Sequence, residues 1–128
     1  MAAELPKPLK FSRAMRVKQG RDFLRIRQEG QRLVIGCLIA NWRPLPPESP
    51  IRLGVVTSRK IGNAVVRNRA RRLMREVFRV HQHDLAQPIE LVLVARQSIA
   101  GKTLLSVEKD FLTTLRKAGL LKQTRRAN

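Results

Sequence analysis

Two short apolar runs, "IRLGVVTS" (51–58) and "IELVLVAR" (89–96), bracket a long basic segment. That arrangement constrains the fold more than any other feature of the chain. Runs of this length, rich in β-branched residues, read as strands. The second is apolar at successive positions, as in a strand covered on both faces. Between them, "GNAVVRNRARRLMREVFRV" spaces its apolar residues as a helix does. Gly62 and Asn63 are turn and N-cap types, so the helix is set from there to about Val80. Strand, helix and strand in this order put both strands parallel in one sheet. The general rule for such a crossover is right-handed.

Placed on a wheel at about 100° per residue, the helix separates into two faces. Val66, Ala70, Leu73, Met74, Val77 and Val80 form the core side. Arg67, Asn68, Arg71, Arg72, Arg75 and Arg79 form the other, with Arg67, Arg71 and Arg75 on one ridge. Arg69 and Glu76 lie at the flank, where Glu76 can pair with Arg69 or Arg72. Any amphipathic helix has a charged outer face. Such faces usually mix signs, because like charges four residues apart cost about 0.2–0.5 kcal/mol. From Ser58 to Arg79 there are eight lysines and arginines against one carboxylate, Glu76. A binding face explains this better than a solvated one. Arg59 and Lys60 extend the ridge, Gly62 permits close backbone approach, and the first helical N–H groups can meet a phosphate.

The whole chain shares the bias. Its 27 lysines and arginines face 9 carboxylates, a net charge of +18. Such a surface repels itself and suits a protein that sits on a polyanion. Nucleic acid is the first candidate, ahead of a membrane surface or an acidic protein. Arginine supplies 19 of the 27, and its planar fork fits phosphates and stacks on bases. The 128 residues make one domain, 1–128. No run is long enough to span a bilayer, and "MAAELPKPLKFSRAM" lacks the apolar core of a signal peptide. Cys37, the single cysteine, reads as a small buried hydrophobe. A cytoplasmic protein is expected.

Residues 1–20 read as an irregular basic segment whose Leu9, Phe11, Met15 and Val17 can dock on the body. A helix is expected over Gly20–Glu29, with Phe23, Leu24 and Ile26 inward and Gly30 at its end. "RLVIGCLIANW" (32–42) reads as one strand, and "RPLPPESP" (43–50) as a connection. Arg52 either faces out or lines a groove. Residues 81–88 form a loop. Ser106 is the expected cap of a last helix, with Glu108 and Asp110 in its first turn and Phe111, Leu112 and Leu115 inward. Gly119 ends it, and 120–128 is a basic tail. The fold class is α+β, a small α/β sandwich in the order α-β-β(-β)-α-β-α.

From Arg52 to Glu76, "RLGVVTSRKIGNAVVRNRARRLMRE" resembles the signature of the bacterial ribonuclease P protein subunit. Its centre is "GNAVVRNR", followed by Arg71-Arg72 and Arg75-Glu76. The "RDF" of Arg21–Phe23, the "LVLVAR" strand and the final helix agree with it. The resemblance implies a sandwich that helps a catalytic RNA remove the 5′ leader of precursor tRNA, with a left-handed crossover instead of the usual hand. It further implies that Arg59, Lys60, Asn63, Arg67, Asn68, Arg71, Arg72 and Arg75 face the ribonuclease P RNA. A cleft between the first helix and the sheet would hold the leader, and Phe23, Arg27, Asn41 and Arg52 are assigned to it. Phe23 matches an aromatic of that cleft. Arg27 and Asn41 stand where the family often has further aromatics, so Arg27 is expected to stack on a base or pair with phosphate. Phe11 and Trp42 read as packing residues.

A protein nuclease would need converging carboxylates. The nine here, Glu4, Asp22, Glu29, Glu48, Glu76, Asp84, Glu90, Glu108 and Asp110, are scattered. His81 and His83 diverge on a helix, lack cysteine partners for zinc, and read as a solvated helix end. Catalysis is therefore expected in the RNA, with Mg held there, and none in the protein alone. No obligate protein partner is inferred. The competing readings are a ribosomal-type RNA-binding protein and a metal-dependent protein nuclease.

Overall fold

The computed structural model describes residues 20–122. Residues 1–19 of the segment expected to dock, and 123–128 of the 120–128 tail expected to fray, lie outside that range. The start of that tail is not frayed, since Leu120 is buried, Leu121 bridges to Leu85 and the Lys122 N–H donates to the Asp84 carbonyl at 2.8 Å. In order come α1 (Gly20–Glu29), β1 (Gln31–Ile35), β2 (Leu38–Pro44), β3 (Arg52–Val56), α2 (Ala64–His81), β4 (Ile89–Ala95) and α3 (Leu104–Ala118). The strands form one mixed sheet ordered β1-β2-β4-β3. β1–β2 and β2–β4 are antiparallel, and β3 lies parallel to β4 as the crossover requires.

The single strand expected over 32–42 is instead a hairpin. Gly36 adopts φ 55°, a conformation that only glycine reaches without strain. A Cβ there would fall 2.2 Å from Asp110 Oδ2. The Cys37 N–H donates to the same carboxylate at 3.0 Å. The turn escaped notice because both arms are apolar, so the run looks continuous.

The sheet has two unlike faces. Leu38, Ala40 and Trp42 of β2 and Leu91, Leu93 and Ala95 of β4 join the larger core with Phe78 of α2 and Phe111 of α3. Trp42 is thus a packing residue. On the opposite face the described residues form a smaller cluster, Ile26 of α1 on Val92, with Phe23, Val56 and Val94 partly buried around it. β4 is sandwiched, as its apolar run implied.

α2 begins where expected, with the Asn63 side chain accepting from the Val66 N–H at 3.1 Å. Its buried stripe is Ala70, Met74, Val77 and Phe78, and Val80 is exposed. Contact with α3 draws the stripe toward Phe78 and away from Val80. α3 starts earlier than expected. Thr103, not Ser106, is its cap, accepting from the Ser106 N–H at 3.2 Å. Asp110 and Glu108 therefore sit beyond the first turn and bond to other elements. Gly119 ends α3 at φ 73°, the left-handed cap its position predicts.

Candidate nucleic-acid interface

α2 carries the arginines on a rigid base. Arg67 Nη1 donates to the Gly62 carbonyl at 3.0 Å. Arg71 donates from Nη1 to Thr57 Oγ1 at 2.5 Å and from Nη2 to Asn68 Oδ1. Both side chains are partly buried, and both tie the helix to the segment that ends β3 or precedes α2. That segment contains exposed Arg59, Lys60 and Asn63, and Arg72 and Asn68 are exposed on the helix. Arg75 is partly buried. The polar partners offset some of the repulsion along the ridge.

Glu76 pairs with Arg79, at 2.7 and 3.0 Å, and not with Arg69 or Arg72. The hydrogen bonds from Arg79 hold the Glu76 carboxyl below its ordinary pKa. Arg79 is thereby largely neutralised and drops out of the candidate face. Arg69 donates to the Lys102 carbonyl at 2.7 Å, tying α2 to the loop before α3.

A second surface lies on the α1 side of the sheet. A cavity of about 570 Å³ opens there. The ladder aligns Arg32, Asn41 and Val92 across β1, β2 and β4, and Ile39, Val94 and Val56 across β2, β4 and β3. These six line the cavity, with Phe23 and Arg27 contributed by α1. Phe23, Arg27 and Asn41 are thus brought together in one cavity, as the family resemblance implied. Arg32 was missed because a single strand over 32–42 would separate it from Asn41, whereas the hairpin sets them opposite each other.

Arg52 does not line the cavity. Its Nη1 donates to Glu90 Oε2 at 2.6 Å, and Arg43 Nη2 donates to Glu90 Oε1 at 2.6 Å. Glu90 is 1% exposed, and a buried carboxylate requires such partners. Register explains the capture, since Arg52 and Arg43 both face Glu90 across the ladder.

A further cavity of about 540 Å³ sits where β3 and β4 end, between Ser58 and Lys60 on one side and Arg96 and Ser98 on the other. Ile39 lines both cavities. The segment bearing Arg59 and Lys60 is therefore contiguous with the α1 cleft. Gln97 Nε2 braces it by donating to the Lys60 carbonyl at 3.2 Å.

Asp84 and Glu108 are engaged by His81 and Asp110 by the Cys37 N–H, apart from Glu76 and Glu90. Among the described residues, no group of three or more His, Cys, Asp or Glu side chains is arranged to hold a metal ion. His81 is not a solvated end. Its Nδ1 lies 2.8 Å from Asp84 Oδ2 and its Nε2 lies 2.7 Å from Glu108 Oε2. Burial opposes its charge, but hydrogen bonds to Asp84 and Glu108 outweigh that and raise its pKa. His83 is exposed. Burial first, then Asp110, pushes the Cys37 thiol up to about 12, so it is no nucleophile.

The family model described as Ribonuclease P matches residues 11–119. The chain belongs to the ribonuclease P protein family. Among curated relatives, the ribonuclease P protein component of Gluconacetobacter diazotrophicus is 36% identical, covering 84% of this chain and 94% of that one. That of a Geobacillus species is 34% identical, covering 84% and 93%. Solved structures agree in fold. The Staphylococcus aureus RNase P protein superposes with a TM-score of 0.75 at 28% identity, covering 86% of this chain and 100% of that one. The Thermotoga maritima RNase P protein gives 0.70 at 28% identity, covering 80% and 96%. The chain is therefore a protein subunit of ribonuclease P, an endoribonuclease, and partners its RNA. No helix among the described residues is long and apolar enough to cross a membrane.

Proposed function

We propose a division of labour between the two surfaces. The ridge of Arg67, Asn68, Arg71, Arg72 and Arg75, with Arg59, Lys60 and Asn63, docks on the catalytic RNA. The cleft of Phe23, Arg27, Asn41 and Arg32 takes the single-stranded 5′ leader of precursor tRNA. Arg52 is assigned here to holding Glu90. The observation that carries the reading is the contiguity of the two surfaces at Ile39. A strand leaving the RNA-facing segment can enter the cleft without crossing the protein.

In this reading the protein positions the substrate and neutralises phosphate charge. Magnesium ions held by the RNA supply the hydrolytic chemistry. The setting is the cytoplasm. Cleavage of precursor tRNA at low magnesium, with the protein and a bacterial ribonuclease P RNA alone and together, tests it. Cleavage at the mature 5′ end is expected only from the mixture, and faster for substrates with leaders than for those with one leader nucleotide. Cleavage by the protein alone, or no leader dependence, would overturn it.

A further inference from the structure

Among the described residues, the two most exposed of the large apolar side chains are Val65, at 74%, and Leu105, at 75%. Each is the second residue of its helix, Val65 in α2 and Leu105 in α3. Leu104, beside Leu105, is exposed as well. The two helix starts are fastened to each other. Arg69, one turn after Val65 on the same face of α2, donates to the carbonyl of Lys102, two residues before α3 begins. Apolar residues scattered singly over a surface are ordinary. Three at one helix–helix junction form a patch.

The setting of the patch points to what covers it. Seven residues after Val65, Arg72 returns to within about 20° of it around the helix, and Arg72 and Asn68 are exposed. The patch therefore continues the arginine ridge around α2 toward α3. No carboxylate occurs from Arg52 to Arg75 or from Leu91 to Val107, the two stretches that contain it. Arg69 and Lys102 are exposed at its margin. A protein partner would need an apolar centre inside an acidic rim. A second copy of this chain is repelled by its own charge of +18. RNA supplies both parts in one molecule, since an unstacked base has two apolar faces and a phosphate on either side.

We infer that the interface with the catalytic RNA crosses from α2 onto the start of α3, where Val65, Leu104 and Leu105 cover an unpaired base. The inference rests on the reading of the arginine ridge as the face that docks on that RNA. The ridge contributes charge, and the patch contributes apolar contact that salt does not screen. The two contributions are therefore separable by their salt dependence.

The test measures affinity of the full chain for a bacterial ribonuclease P RNA over a range of salt. Leu105→Ala with Val65→Ala should weaken binding about tenfold at every salt concentration. The slope of log affinity against log salt should stay that of the parent, because no phosphate contact is lost. The variant should melt as the parent does, both side chains being exposed. Leu105→Cys carrying a photoreactive group should crosslink to the catalytic RNA in the holoenzyme, while buried Cys37 stays unlabelled. Undiminished affinity in the double variant, or crosslinks to precursor tRNA or to a second copy of the chain in place of the catalytic RNA, overturns the inference. If Arg67→Ala with Arg71→Ala leaves the salt slope unchanged, the ridge reading fails and this extension with it. A flattened slope there, with no effect of the apolar variant, sinks the extension alone.

Discussion

The arginine ridge and the α1 cleft are both cationic, yet they rest on very different supports. α2 buries Ala70, Met74, Val77 and Phe78 in the larger core, and Arg67 and Arg71 are hydrogen-bonded to groups on or near the preceding loop. α1 buries one described residue fully, Ile26, on Val92. The ridge is pre-ordered, and pre-ordering lowers the entropic cost of docking on a partner of fixed shape. The cleft wall is held lightly, which suits a ligand whose sequence varies. The contrast predicts that the two surfaces can be disabled separately.

The largest separation should come from Gly30→Ala. A Cβ at Gly30 would meet the Trp42 carbonyl oxygen at 2.1 Å and that of Ile26 at 2.5 Å. Neither is a side-chain atom that can swing aside, so α1 must lift from β2, at about 3 kcal/mol. Leader-dependent gains in kcat/KM should vanish, while affinity for the catalytic RNA persists. Equal loss of both would show that the surfaces are one cooperative unit.

Arg67→Ala with Arg71→Ala attacks the other side. Two lost phosphate contacts should flatten the plot of log affinity against log salt by roughly 1.5 to 2 in slope. Affinity should fall about tenfold or more at low salt, with leader discrimination kept. An unchanged slope in the folded double mutant would return the ridge to a solvated face. Phe23→Ala is expected to be milder. Loss of one stacking platform costs about 1 kcal/mol, confined to substrates with leaders. Equal weakening on leaderless tRNA would make Phe23 a packing residue.

These two surfaces were not equally legible. The ridge could be read because Arg67, Arg71 and Arg75 follow helical spacing within one element, and Asn63 announced its start. The cleft is assembled from α1 and four strands, so its members share no sequence period. Phe23, Arg27 and Asn41 were placed by family resemblance. Arg32 stayed hidden behind the Gly36 turn, and Arg52 was misassigned because its partner, Glu90, is 38 residues away. His81 looked like a loose end from sequence spacing alone. It lies on the side of α2 that meets α3, where Glu108 waits from a helix whose start had been set three residues late.

That histidine gives the smallest prediction, and it bears on whether the ridge acts as a rigid block. His81 fastens the end of α2 to Asp84 and to Glu108 of α3. Only the protonated ring can donate to both carboxylates. The folded pKa is raised above the unfolded value of about 6.5. The contribution of the charged ring is therefore complete below about pH 6.5 and is lost as pH rises through the folded pKa. With both carboxylates partly exposed, it amounts to about 1 kcal/mol or less. Comparing thermal unfolding of the parent and His81→Gln from pH 5 to 9 should show a difference that is greatest at the acid end and shrinks upward. A difference that grew with pH would mean the folded ring is neutral. Over the same range, RNA affinity at the ridge should track salt and not the state of His81, since Arg67 and Arg71 are anchored at the opposite end of α2. Affinity that fell in step with the loss of the His81 contribution would show that the ridge depends on its far end, and the rigid-block view would fail.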